Sequence, residues 1–122
     1  MSQIKKSGLD KELLGLLKNK VYVGVSAGSI ILSKSLQTDS EYLFSLYGDE
    51  VKNPPKGLGY IDFDIRPHLN SQFFPKVTEN NLKKIFKDLK SDVYALDDNS
   101  AVIYDNGKIE VISTGIWKKY SP

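Results

Sequence analysis

The chain has no cysteine, one histidine, one tryptophan and one methionine, and Arg66 is its single arginine. Without cysteine there is no disulfide, no thiol nucleophile and no cysteine-based zinc site, a composition compatible with the expected cytoplasmic address. One histidine and scattered carboxylates give metal binding little support, and no cofactor is expected. No run of apolar residues approaches the length of a membrane span. Lys5 and Lys6 near the start are not followed by an apolar stretch, so nothing there reads as a secretory signal. The net charge of +2 comes from dispersed lysines, too weak and too scattered for nucleic acid. The expectation is therefore neither a nucleic-acid nor a membrane partner. At 122 residues with 40% apolar and 26% charged residues, the chain has the makings of one globular domain, spanning 1–122.

What is present centres on Gly24-Val25-Ser26-Ala27-Gly28. This G-x-S-x-G follows a β-branched run, Val21 to Val23, and precedes a helix-like stretch, the setting in which the motif acts as a nucleophile elbow. A serine on a tight strand-to-helix turn needs small neighbours, so that the backbone bends and substrate approaches. It then sits at a helix N-terminus, where free N–H groups favour a developing oxyanion. The same residues also suit a plain strand-helix connection with Ser26 as N-cap.

Around the motif, periodicity predicts a helix over 9–18 with Ser7 as its cap, a strand over 21–25 and a helix over 29–36. Residues 38–56 mix aromatics with breakers such as Gly48, Pro54 and Pro55 and read as an excursion over the sheet. A strand over 58–65 leads into Arg66-Pro67-His68, where Pro67 ends regular pairing. Then follow an amphipathic helix over 78–89 capped by Thr78, a strand over 92–96, and a hairpin, 101–105 with 108–113, turning at Asn106-Gly107. This order predicts an α/β layer structure with parallel strands and an antiparallel edge. Such sheets bind ligands beyond the carboxyl ends of their strands, where Ser26, His68 and the pair Asp97-Asp98 all fall.

His68 suits a general base that takes the Ser26 proton, and also suits a histidine that merely closes a strand end. The orienting acid has several candidates: Asp98, preferred; Asp39 and Glu41 in the excursion; and Asp62 and Asp64 before His68. Asp97 and Asp98 can instead be turn residues.

Three stretches in order, Tyr22 to Ser29, Gly57 to Ile61 leading to Arg66-Pro67-His68, and Val93 to Val102, resemble the aspartyl dipeptidase (dipeptidase E) and cyanophycinase family of serine peptidases. The resemblance runs over nearly the whole chain from about Ser7. It implies a partial doubly wound parallel sheet of the class I glutamine amidotransferase type, with the antiparallel hairpin at its C-terminal end. It also implies hydrolysis of small peptides by Ser26 as nucleophile, His68 as base and Asp98 as acid, with the Ala27 N–H in the oxyanion hole. Asp98 stands where several members carry the longer Glu, so reaching His68 calls for backbone adjustment. Aspartyl dipeptidases are expected to hold the substrate carboxylate with an arginine after the histidine. Residues 69–79 contain none, only Lys76 as a partial substitute, so Asp-X specificity is not expected. Members of the family are longer at the N-terminus, where they carry central strands and a glycine-rich oxyanion loop. The expectation is thus a truncated member with impaired activity, or a non-catalytic remnant acting as an oligomeric or partner-bound module. A homo-oligomer, or pairing through an exposed sheet edge, goes with either.

Overall fold

The computed structural model describes residues 2–33, 46 and 56–122. Two short helices, α1 (Ser2–Ser7) and α2 (Leu9–Leu16), open the chain, with Gly8 between them at φ 76° as the N-cap of α2. The cap is thus Gly8 and not Ser7, because a left-handed residue lets the chain break and restart a helix within one position. Of the leucines on α2 only Leu13 is buried, and the Tyr60 hydroxyl donates to the Asp10 carbonyl at 2.8 Å to tie this helix to the body.

The predicted strand over 21–25 forms no ladder among the described residues. Val21, Val23 and Val25 stand 90, 81 and 78% exposed while Tyr22 and Gly24 turn inward. The alternation of a strand is there, but a strand needs a neighbour to pair with. Helix α3 (Ala27–Ile30) is shorter than the expected 29–36; Ser33 already forms a parallel bridge to Ile61, and 34–36 lie outside the described residues.

Strand β1 (Asp64–Arg66) ends at Pro67 as predicted but begins later than residue 58, apart from the bridge at Ile61. It pairs in parallel with β2 (Val93–Leu96), which pairs antiparallel with β5 (Trp117–Tyr120). The architecture is mixed α/β, with parallel and antiparallel pairs in one sheet of order β1-β2-β5. The hairpin β3 (Ser100–Asp105) and β4 (Lys108–Ser113) turns at Asn106 and Gly107, with φ 47° and 84°, as expected of an Asn-Gly turn. It forms a two-stranded sheet of its own, so the antiparallel edge of the main sheet is β5 and not the hairpin.

The pleat of β2 explains the layers. Val93 and Ala95 face helix α4 (Glu79–Ile85) and pack with Leu82, Ile85, Phe86, Leu69 and Val77. Tyr94 and Leu96 face the other way and pack with Phe63 and Ile65 under Val102, Ile109 and Val111 of the hairpin. Both faces of β2 are therefore covered, as a central strand requires. Helix α4 starts where predicted, with the Thr78 hydroxyl accepting from the Asn81 amide at 3.3 Å, but ends before the expected residue 89. Phe86 leaves helical geometry at ψ 49° and sets its ring edge-on to Tyr120 at 5.1 Å. Each fully buried aliphatic, such as Leu82 and Val93, contributes about 1.5–3 kcal/mol to this core. No helix among the described residues is long and apolar enough to cross a membrane.

Candidate active site

The turn after the Val21–Val25 segment puts Ser26 at φ 52°, ψ −120°, outside the regions open to ordinary L-residues. The glycines of the motif have unequal tasks. A Cβ on Gly24 would lie 2.8 Å from the Gly28 carbonyl carbon and oxygen, so only glycine lets the two arms of the turn approach. A Cβ on Gly28 would meet only the Tyr22 hydroxyl, at 3.4 Å. Two side chains clasp the turn: the Tyr22 hydroxyl donates to the Gly28 carbonyl at 2.9 Å and the Ser29 hydroxyl to the Gly24 carbonyl at 2.7 Å. Neither clasp was evident in the sequence, where Tyr22 read as strand and Ser29 as helix.

Parallel pairing of β1 and β2 brings their carboxyl ends to the same edge. The Leu69 amide donates to the Leu96 carbonyl at 2.9 Å, which ties the segment after β1 to the end of β2. His68 then takes φ 68° and Asn70 φ 58°, and the loop closes on itself through Ser71 N to His68 O at 3.1 Å and Asn70 N to Val77 O at 2.8 Å. Leu69 and Val77, fully buried, anchor it in the core, and the Phe74 ring stacks on the imidazole at 4.4 Å.

The result is a line of three side chains. His68 Nε2 is 2.9 Å from Ser26 Oγ, and His68 Nδ1 is 2.7 Å from Asp98 Oδ1. The imidazole is 18% exposed and the carboxylate 47%, so the line lies at the surface, open on one side. The shorter aspartate therefore reaches the histidine, because the Leu69–Leu96 bond already holds the two chain segments together. The Ser71 hydroxyl, then His68, hold the Asp98 carboxyl below the ordinary aspartate range, against the repulsion of Asp97.

The other acids are placed elsewhere. Asp97 builds the turn: its carboxylate accepts from the Asn99 amide, the Ser100 hydroxyl and the Ile116 amide, while its own amide donates to the Ile116 carbonyl. Burial pushes its carboxyl up, but those donors outweigh burial and leave it lowered. Asp64 is buried beside Arg66, with the guanidinium 3.9 Å away, and burial raises its carboxyl despite Arg66 and the Ser33 and Ser91 hydroxyls. Asp62 is exposed and lines a separate groove with Lys90 and Asp92. Asp39 and Glu41 lie outside the described residues.

Ala27, the first residue of α3, follows the serine directly, and first-turn amides have no acceptor within their own helix. Beside Asp98 runs an open groove of about 350 Å3 lined by Asn70, Ser71, Gln72, Phe73, Asn99 and Ile116 among others. Lys76 is exposed and does not line it, and neither does an arginine. Phe73 and Ile116, 75 and 53% exposed, give it apolar walls.

The sequence matches the profile of "Peptidase family S51" over residues 1–112. It is similar to an uncharacterized peptidase of Listeria monocytogenes, 29% identical over 119 residues, covering 93% of this chain and 53% of the relative. An uncharacterized peptidase of Listeria innocua is 26% identical over 104 residues, covering 84% and 48%. The fold is similar to a crystal structure of a candidate peptidase E protein from Listeria monocytogenes, with a TM-score of 0.67 at 22% identity, over 92% of this chain and 52% of that one. The chain thus spans about half the length of the relatives it matches.

Proposed function

The chain belongs to peptidase family S51, and from that premise we propose that it carries serine-peptidase chemistry directed at small peptides. The supporting observation is the unbroken line from Ser26 Oγ through both nitrogens of His68 to Asp98. In this reading His68 Nε2 takes the Ser26 proton as Oγ attacks the scissile carbonyl. The proton then passes to the leaving amine as the C–N bond breaks, leaving an acyl-serine. Water, deprotonated by the same imidazole, releases the acid and returns the hydroxyl. Asp98 keeps the Nδ1–H tautomer, so that Nε2 presents its lone pair to the serine. In the same reading the Ala27 amide is the donor to the developing oxyanion, and losing one such donor costs on the order of 10²–10³ in turnover. The groove beside Asp98, with two carboxylates and no lysine or arginine among the described residues of its wall, favours neutral over acidic side chains. The wider sheet is, on this reading, part of a doubly wound arrangement of the glutamine amidotransferase type. A panel of dipeptides tests the activity: hydrolysis of neutral ones that is lost in Ser26→Ala supports it, and equal turnover by the variant contradicts it.

A second reading, a partner-bound or oligomeric module, is favoured by one observation. Val21, Val23 and Val25, leading into the elbow, are 78 to 90% exposed, and this segment has no ladder among the described residues. An apolar unpaired edge of this kind invites strand pairing, and a second copy of the chain is the proposed occupant. Mass measurement in solution checks it: the expected result is a dimer or larger species that Val23→Lys dissociates, and a stable monomer that does not aggregate contradicts it.

A further inference from the structure

We propose that Tyr22 and Ser29 are positioning residues for the nucleophile, whose hydroxyls clasp the elbow from its two ends and hold Ser26 in the conformation that places Oγ against His68. The Tyr22 hydroxyl donates forward along the chain to the Gly28 carbonyl at 2.9 Å, and the Ser29 hydroxyl donates backward to the Gly24 carbonyl at 2.7 Å. Together they close a ring around Ser26.

Every carbonyl of the motif has a donor, as a tight and partly buried turn requires. Main-chain amides serve three of them: Gly28 to Val25 at 2.9 Å, Ser29 to Ser26 at 3.0 Å and Ile31 to Ala27 at 3.2 Å. The carbonyls of Gly24 and Gly28, at the two ends, accept instead from the Ser29 and Tyr22 side chains. In a paired strand a neighbouring backbone would help to hold the approach to the turn, but Val21 to Val25 have no ladder among the described residues. The alternation that turns Val21, Val23 and Val25 outward turns Tyr22 inward. Its ring packs so closely on Gly24 that a Cβ there would lie 2.8 Å from the ring edge. Gly24 therefore makes room for the tyrosine as well as for Gly28.

Ser26 sits at φ 52°, ψ −120°, and a residue in such a region stays there only while its surroundings over-determine it. Both clasps begin and end within residues 22–29, so they act on the turn and not on the core. With either hydroxyl removed, Ser26 relaxes toward an ordinary conformation and Oγ leaves its place 2.9 Å from His68 Nε2.

The inference rests on the reading of Ser26 and His68 as nucleophile and base, but its test does not need turnover. His68 is the single histidine of the chain, so with the imidazole neutral its ring gives one pair of nitrogen signals by NMR. Ser26→Ala supplies the Nε2 signal of an imidazole without its serine partner. In Tyr22→Phe, which keeps the ring, and in Ser29→Ala, the signal is expected to move from the wild-type value toward that of Ser26→Ala. Ser29→Thr, which keeps the hydroxyl, restores it. In parallel, the rate at which a fluorophosphonate modifies Ser26 falls roughly 10- to 100-fold in Tyr22→Phe and Ser29→Ala and recovers in Ser29→Thr. A wild-type Nε2 signal in both folded variants overturns the inference. Should Ser29→Ala fail to fold, a wild-type signal in Tyr22→Phe overturns it. A wild type that is unlabelled and shares its Nε2 signal with Ser26→Ala contradicts the reading of the site itself and takes the inference with it.

Discussion

Asp98 Oδ1 lies 2.7 Å from His68 Nδ1, while Asp97, one residue earlier, points its carboxylate away into the 115–116 turn. Two adjacent, chemically identical side chains therefore have separate tasks, and each can be removed without the other. Asp98→Asn keeps the shape but offers Nδ1 an amide that can present its N–H in place of an acceptor, favouring the wrong imidazole tautomer. The expected result is a loss on the order of 10²–10⁴ in Ser26 reactivity with little change in stability, read by fluorophosphonate labelling beside a urea melt.

Asp97→Ala has the opposite profile. It strands the Ile116 and Asn99 amides and leaves the Ser100 hydroxyl with Ser113 alone, at a cost of about 1–3 kcal/mol. Gly115→Ala arrives at a similar loss from the other side, because its Cβ would run into the Asp97 carboxylate. Urea denaturation at neutral pH checks both, and a midpoint equal to wild type in either variant contradicts the assignment of Asp97 to the turn.

The unequal roles of the two elbow glycines give a third expectation. Gly24→Ala places a methyl 2.8 Å from backbone atoms of Gly28, so Ser26 is displaced and labelling is lost. Gly28→Ala meets only a hydroxyl that has 3.4 Å of room, and it retains most of the wild-type rate. Equal loss in the two variants would mean that the turn does not depend on the Gly24–Gly28 approach.

Acid stability follows from the carboxyls. Asp98, held low by Ser71 and His68, and Asp92, held low by Lys119 and Ser121, have folded pKa values below the unfolded 3.8, as does Asp97 on balance. As pH falls, the unfolded chain takes up their protons first, so their contribution is present above about pH 4 and is lost as pH falls through the folded values. Asp64, raised by burial, works in the other direction: the folded state takes its proton first and gains relative stability as pH falls. Urea midpoints are expected to be level from pH 7 to 5 and to drop below about pH 4. The drop should be shallower in Asp98→Asn and steeper in Asp64→Asn. A curve for Asp64→Asn that overlays wild type contradicts the sign given to Asp64.

What the sequence disclosed and what it withheld divide along local and non-local physics. The Asn106-Gly107 turn and the Thr78 cap depend on residues within four positions of each other and were legible. The end of α4 was not, because Phe86 leaves the helix to meet Tyr120, which is distant in sequence. Strand β5 was missed because Trp117-Lys118-Lys119-Tyr120 has little strand character, and the open edge of β2 recruits it. Conversely, Val21 to Val25 reads as a strand from composition alone, yet pairing is a property of two segments and the second is not among the described residues. At the site, three residue types in order were readable as a chemical set. The contacts supporting them, Tyr22 to Gly28 and Ser29 to Gly24, involve side chains whose own stretches gave them other uses.

Activation of Ser26 by His68 is read from the rate of fluorophosphonate modification mapped to Ser26, compared between wild type and His68→Ala at neutral pH. Modification is expected at Ser26 alone, slowed by at least about 10²-fold when the imidazole is removed. Equal rates in two folded proteins, or no modification of a folded wild type, would contradict it.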